Sequence, residues 1–294
     1  MAYIRRRLFR VFVFSWLLIG VANVMPAAAQ QTFTGRLSDG ACGASHQSKS
    51  AAGSLTDRQC LLACINALQK YVLVDRDNRV LPIANQDAMG LPLYAGRPVK
   101  LTGELRGTAV FVIKVEAIAA HLHLGHVMTN WRDTPGTRGF LPVAVDEARV
   151  AVQHARLAAT GASLDDIRLH TGHVLHALDP SVEPKGPGAG YGVKNAVAGA
   201  MQHLGLAMTA DGATAVMATQ AAQVLSSLMT VAGLLEQAVA DAQKIRAARD
   251  AAEAARYAVD LEGLTKHMSD DSLERALTQM NLILKAEGLL GAPR

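Results

Sequence analysis

"LPVAVDEARVAVQHARLAATGASLDDIRLHTGHVLHALDP", residues 141–180, reads as two successive amphipathic helices. Pro142 suits a first helical turn and Gly161 a stop, while Ser163-Leu164-Asp165-Asp166 is a short variant of the capping box and Asp179-Pro180 ends the second helix. On the first helix the face carrying His154 also holds Val143, Glu147, Val150, Ala151, Leu157 and Ala158, which predicts a buried imidazole two turns from a carboxylate. A buried, isolated glutamate is costly, so Glu147 calls for a protonated histidine, an arginine or a metal. On the second helix the apolar stripe is Leu164, Ile167, Val174, Leu175 and Leu178, with His170, His173 and Ala177 on an adjoining face. His170, His173 and His176 spread over about 120°, so one metal cannot take all three. His170 with His173, or His173 with His176, are the feasible neighbours.

The histidines extend beyond this pair of helices, since eight of the chain's ten lie between residues 121 and 203. In "AAHLHLGHVMTNW", residues 119–131, His123 and His126 stand one turn apart if the segment is helical. "PKGPGAGYGVKNAVAGAMQHLGLAM", residues 184–208, begins as a Pro-Gly loop and becomes a helix near Tyr191, with His203 on a face of Ala196, Gly199, Ala200 and Ala207. Small residues there permit close approach of a neighbouring helix or of a flat ligand. One imidazole per helix, from His126, His154, His173 and His203, with Glu147 nearby, follows the pattern of ligand sites inside helical bundles. Neutral imidazole suits zinc, copper, iron, nickel or non-covalent haem. His121, His123, His170, His176 and His267 read by default as surface residues or hydrogen-bonded core residues. From Ala213 to about His267 the chain reads as Ala-rich scaffold, followed by a last helix capped near Ser269-Asp270-Asp271.

The N-terminal end sets the expected compartment. Arg5, Arg6, Arg7 and Arg10, an apolar run and Ala27-Ala28-Ala29 form the pattern of a signal peptide over residues 1–29, which predicts a periplasmic or secreted protein; the alternative is an uncleaved N-terminal anchor. No later stretch is expected to span a membrane. Four of the 29 basic residues and none of the 25 acidic ones lie in that segment, which leaves 25 of each afterwards. With no net charge and no basic stripe interleaved with aromatics, nucleic-acid binding loses its electrostatic basis.

A shift in composition near residue 119 divides the remainder in two. Residues 30–118 alternate and carry five strand-like runs, "TFTGRLSD", "YVLVD", "RVLPIA", "PVKLTGEL" and "AVFVIKVEAI", with a helix beginning near Thr56-Asp57 between the first two. The expected fold class is α+β: a small OB-like β-barrel with one helix, then an all-α bundle over residues 119–294. All three cysteines fall in the first part. Cys42, His46, Cys60 and Cys64 could converge, either as a disulfide from Cys42 to Cys60 or Cys64, as a Cys3His metal site, or as a redox-active thiol.

The order Asp39-x-x-Cys42-Gly43-x-x-His46, Asp57-x-x-Cys60-x-x-x-Cys64 and "VKLTGEL" at 99–105 resembles small secreted bacterial domains of unknown function. That resemblance implies an OB-like fold and export, and no known activity. The helical part resembles exported bacterial helical proteins in which "LHxxHVLHALDP" and a "GYGxK" start recur. Those relatives carry a His-x-x-His where this chain has Gln220-Ala221-Ala222-Gln223. No CxxCH, GxGxxG, P-loop, HExxH or GxSxG occurs, and no catalytic constellation is recovered. The expected function is metal or haem binding as an exported sensor, carrier or accessory subunit; the alternative is a structural or adaptor protein bound to an envelope partner without a ligand.

Overall fold

A computed structural model describes residues 29–45 and 57–289. The expected signal segment, apart from Ala29, and His46 lie outside the described residues.

In the first module, β1 (Gln31–Asp39) is followed by α1 (Asp57–Asn66), β2 (Tyr71–Val74), β3 (Val80–Pro82), β4 (Pro98–Arg106) and β5 (Ala109–Ala117). These strands form one sheet in the order β3-β2-β1-β4-β5, with every ladder antiparallel. β4 shows the alternation the sequence promises, with Val99 and Leu101 buried, whereas all four residues of β2 are buried. Two glycines bring backbones close: a Cβ on Gly35 would lie 2.4 Å from the Val74 carbonyl oxygen, and one on Gly103 would lie 2.4 Å from that of Phe111. A register shift sits at Thr102/Gly103. The outer strands meet only at one parallel bridge, Ile83 with Val110, where the Ala84 N–H donates to the Val110 carbonyl at 2.8 Å. The sheet is therefore open rather than a continuous closed barrel, and the fold class is α+β.

The second module contains α2 (Ala119–Met128), α3 (Phe140–Ala159), α4 (Leu164–Leu178), α5 (Val193–Thr209), α6 (Ala215–Ala247), α7 (Ala251–Lys266) and α8 (Glu274–Ala286). The Ser163 hydroxyl accepts from the Asp166 N–H, as the capping pattern requires. One boundary is not placed by the sequence reading and another differs from it. The Ala-rich region breaks at Ala248-Arg249-Asp250: the Asp250 carboxylate accepts from the Glu253 N–H, and the Glu253 carboxylate accepts from the Arg249 N–H, so local capping ends one helix and starts the next. There is no capped start at Ser269-Asp270-Asp271; a π-helical stretch, His267–Leu273, carries α7 into α8.

α6 also qualifies the expectation that no later stretch could span a membrane, because it is long and apolar enough to do so by length and composition. Its buried residues, among them Val224, Leu228, Val231 and Leu235, instead form a stripe in the bundle, where α6 packs against α4, α5, α7 and α8.

The two modules have separate hydrophobic cores, one centred on Leu37, Leu73 and Leu101 and the other running through all the bundle helices. Polar ties join them: Lys100 pairs with Asp211, and Arg76 lies 3.7 Å from Glu287. Burial pushes the Glu287 carboxyl up, but hydrogen bonds from His121 and Thr214 outweigh it and hold this group below the ordinary glutamate range.

Candidate metal centres

Six histidines from four helices meet as two groups of three. The first comprises His123 and His126 on α2 and His203 on α5; the second comprises His170 and His173 on α4 and His154 on α3. In each group every residue offers a ligand atom within 4.8 Å of the others. His203 Nδ1 lies 3.0 Å from His123 Nδ1 and 3.3 Å from His126 Nδ1. His154 Nδ1 lies 3.1 Å from His170 Nδ1 and 3.3 Å from His173 Nδ1.

Ring geometry repeats equally closely. The two imidazoles on one helix are 5.8 Å apart at 83° in the first trio and 5.7 Å apart at 71° in the second. The incoming histidine stands at 4.7 Å and 78° to His126, and at 4.6 Å and 78° to His173. Two copies of one arrangement are present.

The sequence contains the corresponding repeat. His123-Leu124-Gly125-His126-Val127-Met128 matches His170-Thr171-Gly172-His173-Val174-Leu175 as H-x-G-H-V-(L/M). Gln153-His154-x-x-Leu157-Ala158-x-Thr160 likewise matches Gln202-His203-x-x-Leu206-Ala207-x-Thr209. The helix pair α2–α3 thus recurs as α4–α5. Each trio takes two histidines from one copy and the third from the other, across the α2–α5 and α3–α4 packings.

This arrangement corrects the expected site in three respects. His126, His154, His173 and His203 do not converge on one centre, because they divide between the two packings. Phe140 stacks on His203 at 5.5 Å, and His154 lies fourteen residues further along the same helix, about 21 Å of helix axis. His123 and His170, assigned default roles when weighed singly, complete the two trios; the repeated His-x-x-His spacing was the signal that identifies them. Glu147 joins neither group. It is 1 % exposed, and its Oε1 accepts the N–H groups of Tyr191 at 2.9 Å and Gly192 at 3.3 Å, just before α5. The buried carboxylate that the helical face predicts thus anchors the start of a helix.

The glycine-rich loop before α5 wraps both Glu147 and the remaining member of the quoted triplet. His176 is buried and donates through Nδ1 to the Glu183 carbonyl at 2.8 Å. A Cβ on Gly186 would lie 2.6 Å from His176 Cβ, and one on Gly188 would lie 2.4 Å from Glu147 Oε2. Gly188 also has φ +113°, which disfavours a side chain on backbone grounds as well. Small residues on α5 serve packing too: Gly199 makes room for the Phe140 ring.

Surroundings differ between the trios. Trp131 has its ring 4.8 Å from both His126 and His203, and Phe140 completes an aromatic wall on the first trio. The second trio has His170 Nε2 at 3.6 Å from Asp166 Oδ1, one turn earlier on α4. Burial, followed by neighbouring imidazoles, lowers the pKa of His126, His154, His173 and His203, which keeps these rings neutral and able to donate a lone pair.

A third group lies in the first module. Cys42 Sγ is 3.8 Å from Cys60 Sγ and 3.9 Å from Cys64 Sγ, and all three are free thiols. The expected Cys42 disulfide is not formed at these distances, which exceed the bonded separation of about 2.05 Å.

No protein-family model matches the chain, and neither a curated protein nor a solved structure shows significant similarity to it.

Proposed function

We propose that this chain is an exported protein that holds two divalent transition-metal ions, one in each histidine trio, as a carrier, sensor or accessory subunit. The convergence of three Nδ1 atoms in each trio is the observation that carries this reading. Ligands about 2.0–2.1 Å from a tetrahedral zinc stand about 3.3 Å apart, close to the 3.0–3.3 Å by which His203 and His154 each stand from their two partners. Zinc, copper, nickel and iron all accept such imidazole sets. The same spacing favours a bare ion over haem, because nitrogens this close leave no room for a macrocycle between them. Among the described residues no fourth protein ligand joins either group, so each ion would keep a position for water or a small anion.

Ligand atoms from Nδ1 leave each Nε2–H pointing away, where the Asp166 carboxylate can orient His170. The segment at residues 1–29 supports export, and we read the first module as an opened OB-like barrel. The isolated Ile83–Val110 bridge, which brings the chain just after β3 beside β5, supports this reading.

Calorimetric titration with zinc and with divalent copper tests this. With the three thiols alkylated, two ions per chain are expected, falling to one in His154→Ala, to one in His203→Ala and to none in the double variant. No binding to the parent protein would instead favour an envelope scaffold in which the imidazoles only hydrogen-bond one another.

A further inference from the structure

We propose that Cys42, Cys60 and Cys64 form a separate soft-metal site that takes one monovalent copper ion. This goes beyond the histidine centres, since it uses a different module and a different ligand class. Cys60 and Cys64 are one turn apart on α1, so both thiols project from one side of the helix. Two cysteines in that relation pair with each other poorly. Cys42 approaches them from the loop after β1, almost equally far from each.

That loop is braced. The buried Asp39 carboxylate accepts the N–H groups of Ala41 at 3.0 Å and Cys42 at 2.9 Å. The Ser38 hydroxyl donates to the Gly43 carbonyl at 2.6 Å, and the Arg36 guanidinium donates to that of Ala44 at 2.7 Å. Such bracing holds a ligand in place before the ion arrives.

Sulfurs about 2.3 Å from a common metal stand about 3.8 Å apart in a tetrahedral array and about 4.0 Å apart in a trigonal plane. The observed 3.8 Å and 3.9 Å fall in that interval. Ligand class selects the ion: thiolates favour soft ions such as monovalent copper, for which three sulfurs complete a trigonal set. A disulfide from Cys42 to either partner would leave an unpaired thiol beside it.

The test uses the full exported chain, reduced and handled without oxygen, titrated with monovalent copper against a chromogenic copper chelator. One ion per chain with a near-ultraviolet thiolate-to-copper absorption band, and three sulfur neighbours in X-ray absorption, are expected. Cys42→Ser, Cys60→Ser and Cys64→Ser should each weaken binding at least roughly tenfold, the scale of losing even an outer-sphere partner. Circular dichroism confirms that each variant is folded, and the His154→Ala/His203→Ala double variant should retain the band. A Cys42–Cys60 or Cys42–Cys64 disulfide mapped in protein from its native compartment would overturn the proposal. So would copper bound through nitrogen alone, or zinc held in preference to copper.

Discussion

The trio of His123, His126 and His203 and the trio of His154, His170 and His173 have nearly the same internal distances but different surroundings. Trp131 and Phe140 wall the first, while the second faces the Asp166 carboxylate and has no such wall among the described residues. The repeated helix pair sets where three imidazoles meet. Residues outside the repeated motifs then decide how dry each centre is and which groups orient its ligands. An aromatic wall excludes water and slows exchange, whereas a carboxylate behind a histidine raises its basicity. The first centre should therefore retain its ion longer, and the second should depend on its outer partner.

Substitutions can break or sharpen that contrast. The largest effect on stability is expected from Glu147→Ala, which removes the acceptor of two backbone N–H groups in a buried setting and should cost roughly 2–4 kcal/mol. Chemical denaturation measures the loss, and metal stoichiometry should remain two. A variant that still folds but binds only one ion would restore Glu147 as a ligand. Next comes Asp166→Asn, which should weaken the second centre about 10–100-fold and leave the first unchanged, read by competition titration in a His203→Ala background and a His154→Ala background. Equal effects at both centres would dissolve the distinction.

Trp131 supplies a reporter for one side. The only other tryptophan, Trp16, lies in the expected signal segment, so in a chain prepared without residues 1–29 the fluorescence comes from Trp131 alone. Divalent copper should quench it in His154→Ala and leave it nearly unaltered in His203→Ala. The reverse pattern would place the bound ion at the other trio.

The smallest expected effect is that of pH on the metal-free chain. The folded pKa values of His126, His154, His173 and His203 are depressed relative to the unfolded chain. The unfolded state therefore binds more protons on acidification, and stability present above about pH 6.5 is lost as pH falls through the folded values. Thermal melts between pH 8 and 5 should show a falling midpoint. Alanine at these positions should flatten the fall, and an unchanged slope would contradict the assigned burial effect.

Much of the fold was legible because local rules agree with the tertiary outcome. Ser163 caps α4, Val99 and Leu101 alternate in β4, and β5 ends at Ala117, next to the shift from strand to helix. Places that misread were those where a second local rule competed. Asp250 and Glu253 form reciprocal caps inside an Ala-rich run that reads in sequence as undivided scaffold, and Ser269-Asp270-Asp271 resembles a cap but lies within a continuous π-helical path. The ligand residues show a different limit. A helical wheel places His154 and His173 on their own helices, but which helices adjoin is a tertiary fact. Reading one imidazole per helix merged two centres and omitted His123 and His170. Comparing the His-x-Gly-His and Gln-His motifs with each other, rather than weighing each histidine alone, exposes the repeat and hence two sites, while packing decides that each site crosses from one copy to the other.

Anomalous diffraction from zinc-loaded crystals, recorded at the zinc edge, tests the central claim most directly. Two peaks are expected, one among the Nδ1 atoms of His123, His126 and His203 and the other among those of His154, His170 and His173. A single peak shared by histidines from both groups, or no peak at either trio, would contradict the account.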